Sequence, residues 1–174
     1  MRDDFCHCLA LDRIRDGERI DLVADEAERE GIAKRLGLLS LARLEANAAL
    51  ARDGAKVRVR GRVRAALEQS CVASGDPVTE HVDEPFDLIF LPEPQAGEAE
   101  DEVELAPEDC DVVFHDGAAI DLGSAVTDTL ALAINPYPRS PGAEAALQQA
   151  GVLTEEQASP FAVLARLKKG GDGP

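Results

Sequence analysis

The chain has no tryptophan, one tyrosine (Tyr137), one methionine and five phenylalanines among 174 residues. A core made from it must be aliphatic, packed chiefly by alanine, leucine and valine. Long apolar runs are missing too. None approaches the roughly 20 residues that span a bilayer, and Met1-Arg2-Asp3-Asp4-Phe5 lacks the hydrophobic segment of a secretory signal. No membrane role is expected, and a cytoplasmic location follows. In that compartment the four cysteines read as thiols rather than as a disulfide framework. There is no glycine-rich phosphate loop, no nucleophile elbow and no His-Glu-x-x-His helix, and the three histidines sit in no nucleophile motif. The expectation is a non-enzyme with no cofactor and no small-molecule substrate. One further absence is the most informative: no Lys or Arg occurs between Arg64 and Arg139.

Immediately before that gap, basic residues stand at alternate positions. In Lys56-Val57-Arg58-Val59-Arg60-Gly61-Arg62-Val63-Arg64 the period is that of a strand, so five cations share one face and three valines the other. Residues 65–138 then carry eighteen Asp and Glu with no base to offset them. The net charge of −16 repels RNA and anionic membrane at long range. Residues 41–69 depart from this, with seven basic and three acidic side chains. A nucleic-acid role is not expected of the whole surface but stays open for the ridge.

The remaining pattern predicts a single α+β domain over residues 1–174: a twisted antiparallel meander with short flanking helices. Phe5 to Leu11 and Arg19 to Val23, with a turn at Asp16-Gly17, read as an opening hairpin. Asp25 caps a short helix that carries Glu26, Glu28 and Glu30 in its first turns and ends near Gly37. Leu44, Ala46, Ala48 and Leu50 alternate ahead of Asp53-Gly54, which reads as a strand and a hairpin turn. A long strand from Lys56 to about Ser70, a turn at Ser74-Gly75-Asp76-Pro77 and a return strand from Val78 to Leu91 complete the meander. Residues 93–111 read as a solvated acidic loop. Beyond it come a short strand from Asp111 to Phe114 and a helix from Ala119 to Ile134 with Asp121 near its start. Two further helices are expected, from Gly142 to Ala150 and after Ser159-Pro160.

Each candidate site has a plainer reading beside it. The basic ridge, with cations about 6.5 Å apart along a strand, can follow a phosphate backbone. It can equally pair with acids on neighbouring strands, for which Glu45, Glu80, Asp83, Glu84 and Asp87 are in place. No aromatics interleave with the cations to stack bases. Cys6-His7-Cys8 resembles a metal fragment, but on a strand His7 points away from the two cysteines and structural zinc sites draw on two such pairs. Small buried thiols are the expectation here, and no metal. Glu98, Glu100, Asp101, Glu102 and Glu104 can hold a basic protein partner or serve only as a solubilising linker. Asn135-Pro136-Tyr137-Pro138-Arg139 is a stiff segment that either presents an epitope or separates two helices.

Taken in order, several segments resemble the YceD family, the bacterial large ribosomal RNA subunit accumulation proteins, in an alphaproteobacterial-type variant. They are Gly37-Leu38-Leu39-Ser40-Leu41, the Arg-rich strand into Cys71-Val72-Ala73-Ser74-Gly75-Asp76-Pro77-Val78, Phe86-Asp87-Leu88, Ile120-Asp121-Leu122-Gly123, Asn135 to Arg139, and Ser159-Pro160-Phe161-Ala162-Val163-Leu164-Ala165. The resemblance implies a non-enzymatic ribosome-biogenesis factor that supports large-subunit rRNA and has no catalytic residues to carry over. Relatives have two cysteines where this chain has Cys71 and Ser74, which argues against metal or redox chemistry at that turn. The expected contact face is Lys56, Arg58, Arg60, Arg62 and Arg64 with Arg139 beside it, and the partner is large-subunit rRNA or a pre-ribosomal particle. The alternative is an acidic adaptor that binds a basic ribosomal protein without touching RNA.

Overall fold

The structure, a computed structural model, describes residues 5–94 and 111–152. They fall into two compact units. One runs up to Gln69 and includes Thr79–Pro136; the other holds Ser70–Val78 and the chain from Tyr137.

The first unit is built on a five-stranded sheet. In chain order its elements are β1 (Cys8–Ala10), a 3-10 turn (Leu11–Arg13), β2 (Arg19–Val23), α1 (Glu26–Leu36), β3 (Ser40–Asp53), β4 (Lys56–Ser70), β5 (Pro77–Pro92), β6 (Val112–His115), β7 (Ala119–Asp121) and α2 (Leu122–Ala133). The sheet order is β2-β3-β4-β5-β6. β2 pairs antiparallel with β3, and β3 with β4 through the hairpin at Asp53-Gly54, where Asp53 faces Lys56 and Gly54 takes a positive φ of 61°. The fold is α+β, as the pattern predicts.

Alternation explains the layering. Odd positions of β4 put Val57, Val59 and Val63 fully inside, together with Leu44 and Leu50 of β3 and Phe90 of β5. α1 packs against β3, and Val126 and Leu130 of α2 complete the same core. Gly61 interrupts the valine row for a steric reason. A Cβ there would lie 2.1 Å from the Asn47 carbonyl oxygen and 2.6 Å from Cζ of Phe86, whose ring fills the position instead. α1 starts at a capping box: Asp25 accepts from the Glu28 N–H at 2.9 Å while the Glu28 carboxylate accepts from the Asp25 N–H at 2.8 Å. It ends at Gly37 in the left-handed region, φ 68°.

Two expectations are corrected. The opening segments are strands but not a hairpin: β1 pairs antiparallel with β7, Cys8 facing Asp121, while β2 joins the main sheet beside β3. The helix expected from Ala119 begins only at Leu122, because Ala119–Asp121 form β7, whereas β6 is the short strand expected near Asp111 to Phe114 and lies parallel to β5. His115 fastens that edge. It is buried, its Nε2 lies 2.9 Å from the Ala55 carbonyl oxygen, and its Nδ1 accepts from the Gly117 N–H at 3.0 Å. An N–H on Nε2 is the tautomer that satisfies both contacts.

In the second unit, α3 (Ala143–Gln149) follows Gly142 as expected. The Cys71 turn closes through Cys71 N–H to the Asp76 carbonyl at 2.7 Å and Val72 N–H to the Pro138 carbonyl at 3.0 Å. The helix expected after Ser159-Pro160, most of the acidic loop at 93–111 and Cys110 lie outside the described residues.

Candidate nucleic-acid interface

The five cations of β4 do share the face opposite the core, and the strand register fixes their surroundings. Across β3 the partners are Asp53 for Lys56, Ala51 for Arg58, Ala49 for Arg60, Asn47 for Arg62 and Glu45 for Arg64. Arg19 of β2 stands opposite Ala49, so Arg19, Ala49 and Arg60 form one exposed row. On the β3 side the arginines are thus bordered mainly by short side chains.

The β5 side is different. Asp87 receives Arg58 through both carboxylate oxygens, Nε to Oδ1 at 2.8 Å and Nη2 to Oδ2 at 2.7 Å, a bidentate fork. Arg60 reaches the same carboxylate with its Nε at 2.9 Å. Asp83 takes Nη1 of Arg62 at 2.6 Å, and Nε of Arg64 stands 3.6 Å from it. Four guanidiniums therefore share these two carboxylates, with Glu84 also acting on Arg62 and Glu45 standing opposite Arg64. The Arg58 hydrogen bonds hold the Asp87 carboxyl below its ordinary 3.8, and those of Arg62 do the same for Asp83. Both acids stay ionised at neutral pH. Exposed pairs of this kind contribute little to stability, so their main effect is to fix where the guanidiniums point.

Pairing with neighbours, set against phosphate binding in the sequence, is thus real for Asp83 and Asp87, each of which serves two arginines. Of the other expected acids, Glu45 is engaged by Arg43 and Glu80 accepts from Gln69 and from the Asn135 N–H. Arg139 is exposed and belongs to the second unit, outside the strand array. Arg19 was not singled out by the sequence because nothing local marks it; only the β2–β3 register brings it into line. Glu98, Glu100, Asp101, Glu102 and Glu104 lie outside the described residues.

The cysteines divide. Cys71 is buried, as expected, and its sulfur accepts from the N–H of Ser140 at 3.3 Å and of Ser74 at 3.4 Å. The Ser140 N–H chiefly, with Ser74, lowers its pKa from 9.0 to about 6 against the opposing effect of burial. Asp76 accepts from the hydroxyls of Ser74 and Ser140 at 2.6 and 3.2 Å. The cluster uses its polar groups on itself. Cys6 and Cys8, by contrast, are exposed, which corrects the expectation of small buried thiols. With the Asp121 carboxylate they form a group whose donor atoms all lie within 4.8 Å of one another. The hydrogen bond to Cys8 foremost, with burial and the Asp121 charge, pushes the Cys6 thiol up to about 12.

A second surface feature belongs to the same unit. A groove of about 1160 Å³ runs between β5–β6 and α2, floored by Phe86 and Phe90 and flanked by the exposed Phe114 and Leu132. Glu84, Asp87, Asp111, Asp116 and Asp128 line it, and among the described residues no Lys or Arg does.

With this geometry in view, the comparison with known families is decisive for membership. Residues 59–168, more than half of the chain, match the family described as "Large ribosomal RNA subunit accumulation protein YceD", and the chain belongs to that family. No curated protein and no solved structure matches it. The matched stretch begins inside the arginine ridge, at Val59. Membership carries a role in large-subunit ribosomal RNA accumulation. No helix among the described residues is long and apolar enough to cross a membrane.

Proposed function

We propose that the protein acts in the cytoplasm as a non-enzymatic ribosome-biogenesis factor and that it contacts large-subunit rRNA directly through the outer face of β4. The observation that supports this reading is the sharing of two carboxylates by four collinear arginines. Asp83 and Asp87 hold the guanidiniums splayed along one line, which lowers the ordering cost when phosphate oxygens bind. Lys56, Arg58, Arg60, Arg62 and Arg64 form the contact line. Arg19 stands in the same cross-strand row as Arg60, two strands away, and Arg139 is a separate candidate. With few aromatics present, recognition rests on phosphates and duplex shape rather than on stacked bases. The acidic remainder of the surface limits non-specific RNA binding.

The test is ultraviolet crosslinking in the native cells, followed by sequencing of the attached RNA. A discrete large-subunit rRNA segment, lost when Arg58, Arg60 and Arg62 are replaced by Glu, is the expected result. Association in vitro should weaken with salt, log affinity falling by roughly 0.7 to 0.9 per phosphate contact per decade. Flat salt dependence would count against direct contact.

One observation favours a second reading, an adaptor for a basic ribosomal protein. The groove beside α2 joins an apolar floor to an acidic rim, which suits a basic segment bearing apolar side chains. Co-sedimentation with pre-ribosomal particles without RNA crosslinks, abolished by Leu132→Asp, would move the conclusion there.

A further inference from the structure

The N-terminal Cys6-His7-Cys8 stretch is placed by long-range contacts that its sequence does not announce. Cys8 faces Asp121 in the β1–β7 register. The backbone ahead of it lies against the first turn of α2: the Leu122 N–H donates to the His7 carbonyl at 3.0 Å, and the His7 N–H donates to Asp121 Oδ1 at 3.1 Å. Gly123 makes the approach possible, since a Cβ there would lie 2.2 Å from the Phe5 carbonyl oxygen. Asp121 is meanwhile held as the N-cap of α2 by the Ser124 N–H at 3.1 Å. Two donors thus fix one of its carboxylate oxygens, and both exposed thiols share its side of the strand.

We propose that Cys6, Cys8 and Asp121 form a zinc site that clamps the N-terminal segment onto the start of α2. Their donor atoms lie within 4.8 Å of one another. A tetrahedral zinc holds thiolates at about 2.3 Å and a carboxylate oxygen at about 2.0–2.2 Å, which puts neighbouring ligand atoms roughly 3.5–4 Å apart. Small side-chain rotations of two exposed cysteines close that difference. Each thiol yields its proton to solvent on binding, and the two thiolates with one carboxylate leave the fourth position to solvent. Two sulfur donors favour zinc over calcium or magnesium, which take oxygen ligands. Cys8 and Asp121 also border the groove beside α2, so the ion would sit at its edge.

The experiment uses the reduced full-length protein titrated with Co²⁺ as a spectroscopic stand-in. The expected result is one equivalent of cobalt giving a thiolate-to-cobalt charge-transfer band, displaced by Zn²⁺. Cys6→Ser and Cys8→Ser should each abolish the band, while Cys71→Ser and Cys110→Ser together leave it intact. Asp121→Asn, which keeps a capping oxygen for α2, should weaken cobalt affinity by roughly tenfold or more. Zn²⁺ should raise the melting temperature of the parent protein but not of the Cys6→Ser variant, a readout independent of colour. A band absent from the parent protein, or one that survives both cysteine variants, overturns the proposal. So does a loss of two hydrogens, restored by a reductant, in the peptide that carries Cys6 and Cys8, because a disulfide would then be the chemistry of this pair.

Discussion

The two faces of β4 are made by the same fifteen residues and obey opposite rules. On the inner face Val57, Val59 and Val63 are fully buried, and Gly61 yields its side-chain position to Phe86. Every atom there is committed. On the outer face the arginine side chains keep 34–62% of their surface exposed although each has an acidic neighbour. The inner face is set by volume and the outer by charge, so one strand can carry both the core and a recognition surface without conflict. Substitutions on the two faces should therefore separate stability from association.

The largest effect is expected inside. Gly61→Ala forces a methyl group against the Asn47 carbonyl and the Phe86 ring. A loss of about 3 kcal/mol is expected, at the upper end for overpacking, read as a lower denaturation midpoint in urea. An unchanged midpoint would mean that β3 and β4 can separate more freely than their register implies. Next comes the charge reversal of Arg58, Arg60 and Arg62 to Glu. It should reduce RNA affinity by at least about a hundredfold, as three phosphate contacts become repulsions, while the circular dichroism spectrum is retained. Loss of RNA binding together with loss of fold would collapse the distinction between the faces.

A smaller effect of opposite sign sharpens it. Asp83→Asn with Asp87→Asn removes two negative charges from beside the arginines and should tighten RNA association and steepen its salt dependence. Binding that weakens instead would show that aiming the guanidiniums matters more than the charge released. The smallest effect is on stability against pH. Both aspartates titrate below their ordinary 3.8 in the folded protein. Their contribution is therefore complete above that value and disappears as pH falls through the lowered folded-state values. Denaturation midpoints of the parent protein and the double Asn variant should differ by a constant amount from neutral pH down to that range, then converge. A difference that grows in acid would contradict the pairing.

What could be read from the sequence follows the range of the interactions. β3, β4 and β5 were legible because alternation runs through long strands whose hairpin turns fix the neighbour. The Asp25 cap and Gly37 stop of α1 were legible because a helix end is decided within four residues. β1 was assigned the wrong partner because three residues carry too little pattern to choose one. Its pairing with β7 rests on contacts such as His7 with Asp121, 114 residues apart. The same distance hid the company of Cys6 and Cys8: Asp121 could be seen as a helix start, but not as a neighbour of two thiols. The ridge was visible as a row of cations, whereas its balance was not. Asp83 and Asp87 were among five acids in the right region, and only the folded contacts select those two.

The exposed alanines at 49 and 51 give the ridge a left and a right. Asp87 approaches Arg58 and Arg60 from β5, whereas on the β3 side Ala49 and Ala51 leave a low shelf beside Arg60 and Arg58. At Arg60 the side away from Asp87 is that shelf. A polyanion lying along the strand would settle off the ridge line, over the alanines and toward Arg19. Filling the shelf with Ala49→Glu would evict it without touching a single arginine.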